Sequence, residues 1–243
     1  MKGKVAFITG ASRGIGAAIA EEMAKNGFEL ALNARSECAL LQKAKELSEK
    51  YHVTCLPFVG DAGDDTFIKK TFAEIEQKLG TVDVVVNNAG ISHIGLLTDM
   101  ELSEWNQIVN TNLTSVFLCS KYAARQMIRK QSGRIINISS VWGNVGASCE
   151  VAYSATKGGM NAFTKALAKE LAPSNIQVNA IACGTIDTEM NQCFSEEERK
   201  VLEEENPSGR FGRVEEVAEL VYSLVEAPEY LTGQIITMDG GWI

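Results

Sequence analysis

A phenol and an amine four residues apart, in Tyr153-Ser-Ala-Thr-Lys157, lie on one face if the segment is helical. The pair is suited to donate a proton. An ammonium near a phenol favours the phenolate, so the spacing predicts a tyrosine pKa lowered toward the working pH, where a general acid is most effective. The same spacing occurs on ordinary solvated helix turns, so the pair alone decides nothing. Thirteen residues upstream, Arg134-Ile-Ile-Asn-Ile-Ser-Ser140 reads as a buried strand bounded by Gly133 and Gly143, with Ser139 and Ser140 at its carboxyl end. Ligands of open parallel sheets sit beyond that end, where a hydroxyl can donate to a carbonyl oxygen.

Two further segments read as strands that run into binding loops. Val5 to Thr9 reads as a strand and Ala17 to Lys25 as a helix, with Gly10-Ala-Ser-Arg-Gly14-Ile-Gly16 between them. Glycines let backbone turn sharply and approach an anion, and a helix start presents unpaired N–H groups and a positive dipole end. The second and third glycines follow the first by four and six residues, a spacing different from G-x-G-x-x-G. Val84-Val-Val-Asn87-Asn88-Ala89-Gly90 is a second strand ending in amides that can hold a ribose, although Asn and Gly are also ordinary turn residues.

Together these elements resemble the short-chain dehydrogenase/reductase family, from Thr9 to Gly240-Gly241. Thr9-Gly10-Ala-Ser-Arg-Gly14-Ile-Gly16, Asn87-Asn88-Ala89-Gly90, Asn112, Ser140, Tyr153 and Lys157 match in order and spacing. The resemblance implies that Tyr153 gives a proton, Ser140 orients the substrate carbonyl, Lys157 holds the nicotinamide ribose and Asn112 positions a water leading to Lys157. It also implies that the dinucleotide meets Gly10, Ser12, Arg13, Gly14, Ile15 and Gly16, then Asn88, Ala89, Gly90, Tyr153, Lys157 and Thr188. Adenine would lie on Asp61 and Ala62, and the carboxamide on the backbone of Ile186. After the second strand the chain reads Asn33-Ala34-Arg35, with no acid to hold a ribose 2′-hydroxyl and repel a 2′-phosphate. Either Arg13 or Arg35 alone is compatible with a solvated surface charge. As a pair without an acid, in this family, they imply NADPH, and no metal is required.

Within the family the likeness runs to the 3-oxoacyl-[acyl-carrier-protein] reductases, through Asn137-Ile-Ser-Ser140-Val and Thr232-Gly-Gln-Ile-Ile-Thr-Met-Asp-Gly-Gly-Trp242. The implied partner is a ketone carried on acyl carrier protein. Two departures stand out. Cys183-Gly184 replaces the common Pro-Gly, losing a fixed φ. Gln131 and Ser174 stand where carrier-docking arginines are common, with Arg129, Lys130 and Lys169 as possible substitutes. A second likeness, through Ser140-Val-Trp142 to Cys149-Glu150-Val and Ala180-Ile-Ala-Cys183-Gly184, is to reductases of a 5-aminopentanone group on elongation factor P. A mobile lid is expected over 190–212. Its Glu196-Glu-Glu198 and Glu203-Glu-Glu205 would suit an amine-bearing substrate, though they also read as a solvated helix face. A noncatalytic NADPH sensor is the alternative of a different class.

Composition agrees with a folded enzyme. The 243 residues are 45% hydrophobic, with no linker, repeat or low-complexity run, which predicts one domain over 1–243. With 23 basic and 31 acidic residues, the net charge of −8 argues against a nucleic-acid partner. Six cysteines lack metal-ligand spacing, and His52 and His93 are the only histidines, so neither a zinc site nor a histidine triad is expected. No membrane-length apolar run or signal peptide is read, and a cytoplasmic location is expected. Strands are expected near 4–9, 29–34, 53–59, 83–87, 133–139, 176–182 and 234–238. Helices are expected over 37–50, 65–78, 104–130, 155–171 and 214–226. That alternation predicts a Rossmann-like, doubly wound α/β fold with a mostly parallel seven-stranded sheet. The helices near 104–130 and 155–171 resemble those through which the family forms tetramers.

Overall fold

The structure is a computed structural model and describes residues 3–191 and 195–243, with Met190 described in its backbone only. In chain order it runs β1 (Val5–Thr9), α1 (Gly14–Lys25), β2 (Glu29–Ala34), α2 (Glu37–Tyr51), β3 (Cys55–Val59), α3 (Asp65–Lys78) and β4 (Val84–Asn87). There follow α4 (Leu102–Val109), a π-helical turn (Asn110–Thr114), α5 (Ser115–Lys130), β5 (Gly133–Ser140), α6 (Trp142–Val145), α7 (Val151–Leu171), β6 (Ile176–Cys183), α8 (Glu196–Glu205), α9 (Val214–Val225) and β7 (Ile235–Met238). The strands form one seven-stranded sheet in the order β3-β2-β1-β4-β5-β6-β7. Every pairing is parallel, so the expected sheet is wholly rather than mostly parallel among the described residues.

The central strands are apolar runs because helices cover both faces. Along β1, Ala6 and Ile8 point into a core shared with Ile19 and Met23 of α1, Leu40 of α2 and Val221 of α9. Val5 and Phe7 point the other way, toward Phe72 and Ile75 of α3, Leu118 and Met127 of α5 and Leu171 of α7. The period of two in the strand thus divides one sheet between two cores. Strand order reverses between β1 and β4, and the crevice at that switch point lies beside the glycine-rich loop.

Three expected boundaries move by more than two residues. Helix α1 starts at Gly14 rather than Ala17, because Ala17 N–H already bonds Arg13 O at 3.2 Å and draws Gly14 to Gly16 into the first turn. Helix α7 begins at Val151 rather than Ala155, which carries Tyr153 inside it. The single helix expected over 104–130 is split by the π turn, where Asn112 bonds outward to the loop after β4. A π turn inside a helix is a frequent mark of a functional site.

One buried polar chain ties both halves of the site-bearing region. Asn137 of β5 accepts from Asn87 Nδ2 at 2.8 Å and donates to Thr164 Oγ1 of α7 at 2.8 Å, with no exposure of its own. Replacing it by Leu takes one hydrogen bond from each partner in the core, leaving Asn87 only Ser120 Oγ at 3.2 Å and Thr164 only Met160 O at 2.8 Å. Asn137→Leu should cost about 1–3 kcal/mol in denaturant unfolding, and a stability equal to the parent's would disprove that accounting.

Candidate active site

The phosphate cradle is built by β1 and β4 holding one another at their carboxyl ends. Thr9 Oγ1 accepts from the backbone N–H groups of Asn88 and Ala89, both at 3.0 Å. The Asn88 side chain donates to the carbonyls of Thr9 at 3.0 Å and Gly10 at 3.2 Å. Its amide therefore braces the cradle. Thr9, which the sequence reading left without a role of its own, proves to be the pin. At Gly16 a Cβ would fall 2.2 Å from Gly10 O, and at Gly10, with φ +65, 2.8 Å from Asn88 Nδ2. No larger residue fits either place. Helix α1 has no side-chain cap and no acid in its first turn, so its leading N–H groups and positive dipole end face the loop. This is a fit for a pyrophosphate.

Around the cradle the other expected nucleotide contacts take identifiable places. Asn33, buried, donates to Phe58 O at 2.9 Å and Gly60 O at 3.1 Å, so it ties β2 to β3. Arg35 is exposed at the end of β2. Arg13 pairs at 2.5 Å with Glu189, a partner not anticipated from the sequence, and both side chains are largely exposed. Asp61 accepts from Gly63 N–H at 2.8 Å and from Asn110 Nδ2 at 3.2 Å, joining the β3 loop to the π turn, while Ala62 beside it is buried. Thr188 lies over Gly14, its methyl 3.7 Å from where a Cβ would stand. Ile186 forms a bridge with Gly212 through Thr185 O and Asp187 N–H, which turns the Ile186 N–H to the opposite side. Its carbonyl accepts from Asn191 Nδ2 at 2.7 Å.

The four expected catalytic residues come together. Lys157, 4% exposed, donates to Ile138 O of β5 at 2.7 Å. Its Nζ lies 5.5 Å from the centroid of the Tyr153 ring. A Cβ on Gly90 would stand 3.5 Å from Asn112 Oδ1 and 3.7 Å from Lys157 Nζ, so all three meet at one point. Asn112 accepts from Ile91 N–H and donates to Ile91 O, both at 2.8 Å, and donates to Thr156 Oγ1 at 3.2 Å. Thr156 in turn donates to Tyr153 O at 2.8 Å. The π turn, the β4 loop and α7 are thereby locked together. Ser140 Oγ accepts from Trp142 N–H at 3.2 Å, which leaves its own proton free for the phenol or a substrate oxygen.

The electrostatics differ from the expectation drawn from spacing. Burial pushes the Tyr153 phenol above its ordinary value, opposed by the Ser140 hydroxyl and reinforced by Cys183 and Glu150. The lysine does not lower it, because burial acts on Lys157 as well and takes the amine down to about 8. The cause is the low-dielectric setting that spacing alone does not reveal. The phenol is thus held protonated, as a donor requires.

Cys183 ends β6, in register with Ser140 on one side and Met238 on the other, and burial pushes its thiol up to about 12. The strand pairing on both sides fixes the backbone where a proline is common in the family. Five cysteines are free thiols, and Cys193 falls outside the described residues. Among the described residues no cluster of three metal-ligating side chains occurs. Arg129 pairs with Glu76 at 2.6 Å and Lys130 with Asp83, at the end of α5. That end precedes the start of β5, roughly 25 Å by strand rise from Ser140. Gln131, Ser174 and Lys169 share that far edge, so none of these candidates for carrier docking borders this chain's own cleft. Of the expected lid, α8 has no buried residue and is moored through Arg199 to Asp187 at 3.1 Å and through Asn206 to Asp239 O at 2.8 Å. Residues 192–194 of that segment lie outside the described residues. Glu150, at the start of α7, was not singled out as a site residue. Its carboxylate accepts from Ser92 Oγ at 2.6 Å and acts on the phenol three residues on. His93 stands beside Glu104 at 3.7 Å in the adjoining loop.

Comparison with known proteins agrees with this geometry. The family described as short chain dehydrogenase matches over residues 4–199. The chain is 42% identical to the 3-oxoacyl-[acyl-carrier-protein] reductase FabG of Aquifex aeolicus over 99% of this chain and 98% of that protein. It is 39% identical to an uncharacterized oxidoreductase of Bacillus subtilis, YmfI, over 98% of each. A gluconate 5-dehydrogenase from Burkholderia cenocepacia, solved with NADP and tartrate, superposes with a TM-score of 0.94 at 30% identity, covering 100% of this chain and 96% of that one.

The depressed lysine makes a stability prediction with a definite sign. Its folded pKa of about 8 lies below the ordinary 10.5, so the unfolded chain holds the proton more tightly. The penalty is complete below about pH 8 and is relieved as pH rises toward 10.5. Without nucleotide, Lys157→Met should therefore be more stable than the parent at pH 7 by about 1–3 kcal/mol, after loss of one hydrogen bond. The gain should shrink as pH climbs from 8 to 10.5. A gain that grows with pH in denaturant titrations would contradict the assignment.

Proposed function

The chain belongs to the short-chain dehydrogenase family, and from that premise we propose that it reduces a ketone to a secondary alcohol with NADPH. The observation that carries this reading is the meeting of Asn112, Lys157 and Gly90 beside Tyr153, at the same sheet edge as Ser140. Reduced nicotinamide bound along this edge would supply hydride to the carbonyl carbon. Tyr153 gives its proton to the carbonyl oxygen, which its raised pKa keeps available, and Ser140 holds that oxygen by donating to it. Lys157 holds the ribose. Asn112 positions a water that leads to Lys157. Gly10, Ser12, Arg13, Gly14, Ile15 and Gly16 hold the pyrophosphate side, with Thr188 above. Asp61 and Ala62 meet adenine, Ala89 and Gly90 the ribose, and the Ile186 N–H the carboxamide.

NADPH over NADH is supported by the absence of an acid at the end of β2 and by Arg35 and Arg13. Arg13 must leave Glu189 to reach a 2′-phosphate, a modest requirement because exposed pairs contribute about 0–1 kcal/mol. The substrate proposed first is a 3-oxoacyl group on acyl carrier protein, as named for the Aquifex relative, which we assign to fatty acid biosynthesis. A second reading, the 5-aminopentanone group on elongation factor P, is favoured by one observation. Glu150 places a carboxylate beside the catalytic phenol, where it forms no ion pair among the described residues. A substrate ammonium would complete it. We place the protein in the cytoplasm as a homotetramer of single-domain subunits, each with α8 in a mobile lid. Exposed Leu102 and Phe117 on α4 and α5 support the assembly. Among the described residues no helix is long and apolar enough to cross a membrane.

Tyr153→Phe should lower NADPH oxidation with acetoacetyl-[acyl-carrier-protein] by about 10² to 10⁴ while NADPH still binds. Near-normal turnover would refute the proton-donor role. In a side-by-side assay, turnover confined to ketone-modified elongation factor P would select the second substrate. Arg35→Ala should raise the KM for NADPH about tenfold and leave that for NADH unchanged. Equal effects on both would remove the 2′-phosphate from the account.

A further inference from the structure

The carboxyl ends of β5, β6 and β7 lie side by side, with Ser140, Cys183 and Met238 in register. From each outer strand the chain sends a tryptophan inward. Trp142 follows Ser140 by two residues and its N–H bonds the serine oxygen. Trp242 follows Met238 by four, and the two rings meet with centroids 5.1 Å apart at 60°. The pair spans the end of β6, where Gly184 begins the loop toward Ile186.

The tail that carries Trp242 is built to hold it there. Asp239 accepts from Gly241 N–H at 2.9 Å and Ile243 N–H at 3.0 Å, closing a turn around consecutive glycines with φ +73 and +87. A Cβ on Gly184 would stand 2.7 Å from Asp239 Cβ, so the tail lies directly on the loop. Asn206, at the end of α8, donates to Asp239 O at 2.8 Å. Two half-buried indoles left partly open at the catalytic edge, and a tail fixed by five named contacts, are more than core filling needs.

We propose that Trp242, tilted against Trp142, is a specificity-determining residue: the pair forms the wall of the substrate site beside Ser140 and receives the group attached to the ketone carbon. This rests on the carbonyl-reductase reading of the site. It assigns to the carboxyl-terminal tail a direct contact with substrate and predicts selection for flat or extended apolar substituents, because indole faces offer broad contact at little entropic cost.

The test uses the full chain and two probes, ethyl acetoacetate and ethyl benzoylacetate, which place a methyl or a phenyl on the ketone carbon. Trp242→Ala should change the ratio of kcat/KM between them at least about tenfold, with NADPH affinity unchanged. Trp242→Phe should restore the ratio, which a merely structural role would not do. An unchanged ratio in Trp242→Ala overturns the proposal. Should Trp242→Ala fail to fold, Trp242→Leu takes its place under the same criterion. Should the parent reduce neither ester, the fluorescence of Trp105→Phe, which keeps only Trp142 and Trp242, decides. Quenching by ethyl benzoylacetate in the presence of NADP+ supports the wall, even if the reductase reading fails for these probes. No quenching overturns it.

Discussion

A primary amine almost wholly withdrawn from water and held by one backbone carbonyl sets the scale of this site. Lys157 reaches from α7 to Ile138 O, two residues before Ser140, and so fixes how far the helix that bears Tyr153 stands from the strand that bears the serine. Burial disfavours the charged form of the lysine and of the tyrosinate alike. It therefore holds each toward its neutral form, the phenol shifted up and the amine down. The same desolvation costs the resting protein stability at the lysine and keeps the phenol protonated.

That arrangement depends on a second constraint, the junction of three segments at Gly90. Asn112 satisfies both backbone groups of Ile91, and it can do so only because the helix before α5 opens into a π turn at Asn110–Thr114. The same turn presents Asn110 to Asp61 and so links the loop after β3 to the segment around Lys157. Backbone regularity is given up in one turn to gain hydrogen bonds to three different segments. Thr9 and Asn88 do the corresponding work at the cradle, where the strands on either side of the switch point are joined by four hydrogen bonds.

Sequence periodicity carries the layered fold because each strand is a short apolar run between turn residues and each long helix keeps one apolar stripe. It also carries the alignment of Tyr153 with Lys157, since one helical turn brings them together whatever surrounds the helix. What periodicity cannot carry is anything decided across elements. The stretch 104–130 reads as one helix because every residue in it tolerates helix, and only the partner at Ile91 opens it. The direction of the tyrosine shift was misread for the same reason: spacing reports the neighbour four residues away, whereas the pKa follows the enclosure supplied by β5 and β6. Arg13 looks free in sequence, yet it finds Glu189 across 176 positions.

The carboxyl edge also shows why family resemblance reaches the chemistry before it reaches the substrate. Tyr153, Lys157 and the glycine cradle keep one order and spacing across the family, so they are legible. The walls answer to whatever carbonyl enters, and they come from segments with no common spacing: Trp142 after β5, Trp242 on the tail, Glu150 ahead of α7, and Ser92 after β4. A carboxylate in such a wall would select by charge, since desolvating it without a cation is costly, whereas paired indoles would select by shape. Glu150 and the exposed glutamates of α8 put negative charge on the carboxyl-edge side of the sheet, while the paired Arg129 and Lys130 lie at the opposite edge.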